Sequence, residues 1–531
     1  MDQPQETNPS ANRWLIAAAV TIPTFMEVLD TSIANVALRH IAGGLSAAED
    51  DSEWVITSYL AANAIVLPIS GWLSNHFGRR NYFLASVALF TLSSGLCGMA
   101  TGLFQLILFR VLQGLAGGGL QPSTQAVLLD TFPPERQGAA MTVFGMAALI
   151  APILGPTLGG WITDNYEWRW IFYINIPVGL AALGACAAVI HDPPYLERQR
   201  AELRSKPIRF DYIGLGLIAL GLACLEVVLS KGQEWDWLGD PFWRAQTLMA
   251  VMIVSLVAAV VWELRRRDPV VDLRPLGERN FTLSAITVFA AFGALYGALT
   301  SLPAMLEVLF GYDATHAGLV MSPAGVFSLL MMPIVGYLLG RQFDARWLVV
   351  AGALVMAGGF YWMSRLNLEV SPSQIVWPRV VQAVGTSILF APLNVAAYMY
   401  LPRHLRAPAV GLYNLLRNEG GSVGTSVAKT LVERRQQLHL WRLDDELTPF
   451  NSNVREALIG IENFFLGQTG DPAGSEIRAW QVIDNLRQEQ ALSLSYFDCF
   501  WFFAVVSLVL VPLALAMRRS VAEKGAHLVA E

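Results

Sequence analysis

Fourteen stretches of about twenty mostly apolar residues constrain this chain more than anything else in it. A helix rises 1.5 Å per residue, so about twenty residues cross the roughly 30 Å hydrocarbon layer of a bilayer. Reading for that length predicts spans near 14–37, 54–74, 82–100, 103–129, 140–162, 170–190, 211–229, 245–264, 282–306, 315–338, 347–364, 375–400, 408–431 and 498–517. Only 15% of the 531 residues are charged and 54% are hydrophobic, whereas soluble domains carry about 25% charge. The expected fold class is therefore an all-α polytopic membrane protein. The first ten residues contain Asp2 and Glu6 and no basic residue. They do not form a signal-peptide n-region, so the first apolar run is expected to remain as a span. A net charge of −6 gives no electrostatic footprint for nucleic acid. Cys97, Cys186, Cys224 and Cys499 are scattered through apolar segments without disulfide or metal spacing, which suits core residues.

Orientation follows from lysine and arginine in the connecting segments. With the N-terminus inside, the inner segments carry twenty-one basic residues and the short outer loops five. Both termini are then expected in the cytoplasm. The exceptional connection is 433–496, a polar stretch between the last two spans. There Val454, Leu458, Ile461, Phe464 and Phe465 recur at helical spacing after possible caps at Ser452 and Asn453. A small extramembrane helical hairpin is expected, serving as a lid over the outer mouth or as a docking surface.

Two spans share a pattern. Arg110, Gln113, Gly114, Gly117, Gly118 and Gln121 fall on one face of span four, and Arg379, Gln382, Ala383, Thr386 and Ser387 repeat it in span twelve. Each is followed by a proline, Pro122 or Pro392. Matched positions in two halves mark a transporter built from duplicated bundles. The expected organisation is a tail 1–13, a six-helix bundle 14–190 and a linker 191–281 with two inserted spans. A second six-helix bundle, 282–517, carries the 433–496 loop and precedes a tail 518–531.

Charge inside a span costs about 2.5–3.5 kcal/mol on insertion scales, so each such residue needs a reason. Glu27, Asp30, Thr31, Ala34 and Asn35 form a polar stripe on span one. Arg110 is the cation at matching depth, and an Asp30–Arg110 interaction is expected because either charge alone is expensive. A carboxylate there that opens in turn to each side of the membrane can take up and release a proton. Asp30 is the first candidate for proton coupling and Glu27 the second. Glu226 lies near the outer end of its span, where a solvated edge suits it. Glu419 needs a partner on a helix that the sequence does not identify. Arg417 shares a face with Gly420, Gly421 and Gly424 and is a candidate site residue. Asn35, Gln113, Gln121, Arg379, Gln382, Arg417, Glu226 and Glu419 complete the cavity candidates.

Two further motifs bear on movement. The loop after span two reads Gly71-Trp72-Leu73-Ser74-Asn75-His76-Phe77-Gly78-Arg79-Arg80, and span five reads Pro152-Ile153-Leu154-Gly155-Pro156-Thr157-Leu158-Gly159-Gly160. Glycines four apart allow close helix approach, and prolines free backbone carbonyls. The first resembles the G-x-L-[AS]-D-x-x-G-R-[RK] loop of the major facilitator superfamily, and the second its G-P-x-x-G-G antiporter motif. With Leu29-Asp30-Thr31-Ser32-Ile33-Ala34-Asn35 in span one, the chain resembles fourteen-span drug:proton antiporters of the EmrB/QacA type, nearer the EmrB branch. The resemblance implies a major facilitator fold and export of small lipophilic molecules in exchange for protons, with Asp30 at the acidic position of span one. It also implies a periplasmic adaptor (membrane fusion protein) and an outer-membrane channel as partners, in a Gram-negative inner membrane. Asn75 departs from the family's aspartate, and Glu419 stands where the EmrB branch is apolar. A dedicated exporter of one endogenous metabolite, a siderophore or lipid precursor, is the alternative. No H-E-x-x-H or Walker-type loop is present, so no enzyme chemistry, cofactor or direct ATP drive is expected.

Overall fold

The structure is a computed structural model that describes residues 12–133, 136–191, 211–266, 269–448 and 450–521. Most of the N-terminal tail, the basic residues Arg198, Arg200, Arg204, Lys206 and Arg209, and Arg267 and Lys524 lie outside the described residues. The helices are α1 Arg13–Val36, α2 Trp54–Phe77, α3 Arg79–Gly98, α4 Leu103–Thr131, α5 Gln137–Asn165, α6 Trp170–Val189 and α7 Tyr212–Lys231. Then follow α8 Arg244–Arg265, α9 Arg279–Phe310, α10 Ala314–Gly340, α11 Ala345–Met363, α12 Pro372–Tyr398 and α13 Arg403–Asp444. The last two are α14 Ser452–Thr469 and α15 Pro472–Leu515.

Among the described residues, thirteen helices are long and apolar enough to cross a membrane. The remaining long one, α13, falls short on apolarity because Arg417, Glu419 and Lys429 sit within it. It packs lengthwise against α9 and α15 all the same, giving the fourteen spans expected.

Sequence reading ended α13 and began α15 at the membrane surface; both continue well beyond. At 1.5 Å per residue, the 42 residues of α13 make a rod of about 63 Å. The segment Glu433-Arg434-Arg435-Gln436-Gln437-Leu438 is built of good helix formers, so nothing stops the helix where apolarity stops. The expected separate hairpin is thus a pair of span extensions, joined by Arg487 to Asp444 and by His439 to Asp498 (2.9 Å), with α14 packed on α15. The cap of α14 is Asn451, one residue before the expected Ser452.

Helices α1 to α6 pack among themselves, as do α9 to α13 with α15. The two groups meet where α5 lies along α10 and α2 along α13. They touch on one side of the membrane centre through Thr315–Asp164 (2.7 Å) and Lys429–Glu53 (3.1 Å), and on the other through Asn414–Gln125 (2.9 Å). The polar residues of α1 are enclosed between these contacts.

Candidate functional site

The centre of the first group is built on α1. Glu27 and Asp30 are 3% and 2% exposed, so both carboxyls depend entirely on protein partners. Arg110 of α4 is fully buried and donates from Nη1 to Asp30 Oδ2 (2.6 Å) and Gln113 Oε1 (2.8 Å), and from Nε to the Val55 carbonyl (3.1 Å). Asp30 Oδ1 accepts from Asn175 of α6 (2.6 Å) and from Gln113 (3.1 Å). The pairing expected from depth alone is therefore present, embedded in a network that orients both charges.

Glu27, one turn earlier, is held differently. It accepts from Gln121 (2.6 Å), Asn63 (3.2 Å) and the Tyr59 hydroxyl (3.4 Å), all neutral donors. Tyr59 joins the two carboxyls, since the Arg110 guanidinium lies 4.2 Å from its ring centroid. Gln113 and Gln121 thus belong to this site. Asn35 does not: it is exposed. Tyr59, Asn63 and Asn175 were missed, although the i, i+4 spacing of Tyr59 and Asn63 in an apolar span was a visible signal.

Helix α4 breaks at Gly118, and a Cβ at Gly114 would collide with the Tyr59 carbonyl oxygen. The span-five motif serves α1 directly. Pro156 has no N–H for the carbonyl of Pro152, and Ser32 donates to that free carbonyl at 3.0 Å. Gly155 admits Ser32, where a Cβ would overlap its hydroxyl, and Gly159 packs on Ile33. Pro152, Gly155, Pro156 and Gly159 thus set how α5 lies on the segment holding Asp30.

In the loop after α2, Gly78 has φ 91°, left-handed space that favours glycine. Arg79 pairs with Asp130 at the end of α4, and Arg80 donates to the Ala187 carbonyl (3.0 Å). Gly71 lies on α2 above them. The Asn75 side chain lies outside the described residues.

Across the seam, Arg417 of α13 is 2% exposed. Its guanidinium sits 5.3 Å from the Phe292 ring of α9 and 5.8 Å from the Phe144 ring of α5, so both groups of helices wall it. Phe390 adds to this wall, 5.6 Å from Phe292 and 6.3 Å from Phe144. Among the described residues, Arg417 Nη1 has no hydrogen-bond partner.

The second repeat copies the packing face of the first but not its ion pair. Arg379 is fully buried, yet none of its three guanidinium nitrogens has a hydrogen-bond partner among the described residues, and Gln382 packs on Gly359 of α11 and bonds Thr386 (3.1 Å). In α9, which corresponds to α1, the acid is Glu307, near the end of the helix and not at its middle as Asp30 is. Glu226 is not at a solvated edge: it is 4% exposed and accepts from Ser422 of α13 at 2.9 Å. The partner helix of Glu419 is α7.

Residues 20–425 match the family described as the Major Facilitator Superfamily. The chain belongs to that superfamily. It is a membrane transporter, not an enzyme. It is 40% identical to the multidrug export protein EmrB of Haemophilus influenzae, over 86% of this chain and 87% of that one. It is 35% identical to EmrB of Escherichia coli K12, over 96% of each chain. The fatty acid resistance protein FarB of Neisseria gonorrhoeae is 36% identical over 94% of each. Among solved structures, the human organic anion transporter MFSD10 (TETRAN) superposes with a TM-score of 0.59 at 12% identity, covering 95% of this chain and all of that one. The Escherichia coli xylose transporter XylE gives 0.54 at 12% identity, over 94% and 96%. Both show the fold.

Proposed function

We propose that this transporter is a multidrug efflux pump that moves small lipophilic molecules out across the cytoplasmic membrane in exchange for protons, by alternating access. The observation that carries the reading is the pair of buried carboxyls on α1, Asp30 and Glu27, set beside a seam whose opposite wall is the aromatic surround of Arg417. A charged pair and a neutral-donor carboxylate at one depth give protons a place to bind, and the aromatic wall gives apolar molecules one. The names of the relatives, multidrug export and fatty acid resistance, support the same reading. Purified protein in liposomes with an imposed pH gradient tests it. A fluorescent lipophilic dye and lumenal pH are followed together; opposite movements are expected, and dye movement indifferent to the gradient refutes proton exchange.

In this reading both termini face the cytoplasm, on the strength of the lysine and arginine asymmetry. A periplasm-active reporter fused at Ser205 is expected to stay silent; activity there reverses the topology. The α13–α14–α15 projection then lies in the periplasm. Its exposed Trp441, Phe450, Phe464 and Ile477 suit contact with a periplasmic adaptor, which in turn leads to an outer-membrane channel.

A further inference from the structure

Helix α7, one of the two inserted spans, lies over the line where α2 and α13 meet. Ser230 shares a hydrogen with Thr57 of α2 (2.5 Å), and Lys231 reaches Glu53 at the start of α2 (3.2 Å). On the other flank Gln233 donates to Glu433 of α13 (2.8 Å) and Glu226 accepts from Ser422 (2.9 Å). One inserted helix is thus tied to both groups of helices.

Glu419 lies one turn before Ser422 on the same face of α13, so its carboxyl points to the place where Ser422 meets Glu226. Ser422 holds Glu226 on this face at 2.9 Å, so the two buried carboxyls face the same contact between α7 and α13. Glu419 is 5% exposed, and neither of its oxygens has a hydrogen-bond partner among the described residues. Among the described residues, no arginine, lysine or histidine acts on either carboxyl from α2, α4, α8, α9 or α15, the helices packed on α7 and α13. Arg417 is turned to Phe144 and Phe292, and Lys231 is held by Glu53 and Glu234 (2.7 Å). Two carboxylates side by side without a neighbouring cation repel each other strongly, and sharing a proton removes the repulsion.

A second observation points the same way. The hydroxyls of Ser426 and Thr430 are buried and have no hydrogen-bond partner among the described residues. At i+7 and i+11 from Glu419 they continue its stripe, which ends at Glu433, bonded to Gln233 beyond the span. Hydroxyls in file from a buried acid towards the surface can each accept and donate a proton, and water between successive turns would link them into a path.

We propose that Glu226 and Glu419 bind one exchangeable proton between them, a second proton site separate from Asp30 and Glu27, reached along Ser426 and Thr430 from the side that bears residues 433–496. The proton bridges the two carboxyl groups, one serving as donor and the other as acceptor. No other atom is exchanged. Its use in transport rests on the export reading; its existence does not.

Infrared spectra of the purified full chain in lipid nanodiscs at neutral pH test the site. The wild type is expected to show a protonated-carboxyl C=O band that shifts in D2O, remains in Asp30→Asn, and is lost in Glu419→Gln and in the double variant Glu226→Gln/Glu419→Gln. An unchanged band in both glutamine variants overturns the proposal. The double variant keeps hydrogen-bonding groups at both positions, and its monodispersity in gel filtration guards against misreading an unfolded protein. Ser426→Ala/Thr430→Val is expected to slow the D2O shift; an unaltered rate removes the path. In liposomes the double variant is expected to exchange one proton fewer per dye molecule. If the wild type moves no dye while the band behaves as expected, the export reading falls and the proton site stands.

Discussion

Replacing Asp30 with asparagine is expected to abolish pH-driven export and to lower stability by about 3–5 kcal/mol, the cost of leaving one member of a buried ion pair without its partner. Arg110 is fully buried, its Nη2 already has no partner, and its Nη1 bond to Asp30 is 2.6 Å long. With asparagine there, Gln113 and the Val55 carbonyl remain as acceptors, and neither carries charge. The helices themselves should still insert, because backbone hydrogen bonds within each span do not depend on this pair. Arg110→Gln in the same chain removes the stranded cation. The double variant is therefore expected to recover most of the lost stability, read as thermal unfolding in detergent, and to remain inactive in liposomes. Recovery of stability without transport separates the structural part of the pair from its proton chemistry. Export by Asp30→Asn at the wild-type rate removes Asp30 from the coupling mechanism.

How much of this was legible in the sequence depended on what each residue answers to. The spans were legible because bilayer thickness imposes a length, and most helix ends fell within a few residues of expectation. The Asp30–Arg110 pair was legible because buried charge is too costly to leave unpaired, so depth alone limited the choice. Tyr59, Asn63 and Asn175 carry no such cost. A neutral polar group in a span can bond its own backbone, as Asn414 does with the Val410 carbonyl (2.8 Å), and only tertiary packing decides which way it turns. The same limit hid the contact of Glu226 with α13, since the inserted helices have no counterpart in the repeat from which to infer a neighbour. The repeat itself misled at Arg379. Its face was copied, but the acid that makes sense of Arg110 was not, so similar sequence marks a similar packing surface and a different electrostatic one.

Arg417 presents the sharper test of what the transporter recognises. Its guanidinium lies between Phe292 and Phe144, contributed by opposite groups of helices, with Nη1 unpartnered. A lipophilic molecule bearing a carboxylate or phenolate would meet apolar walls on its body and a charged donor at its acidic end. A hydrogen bond to a charged group contributes about 1.5–3 kcal/mol, which is roughly 10- to 100-fold in affinity. Arg417→Leu is therefore expected to weaken transport of an acidic dye by about 10- to 100-fold while leaving a neutral dye of similar size unaffected. Stability should change little, because the substitution removes a buried cation whose carboxylate neighbour, Glu27, is bonded instead to Gln121, Asn63 and Tyr59. Arg417→Lys keeps the charge but loses the flat surface that stacks on both rings, so it is expected to restore acidic-dye transport only in part. The deciding comparison is the acidic-to-neutral ratio in the same liposomes. A ratio unchanged by Arg417→Leu, with both dyes slowed alike, makes Arg417 a packing residue of the seam and takes acid recognition away from it.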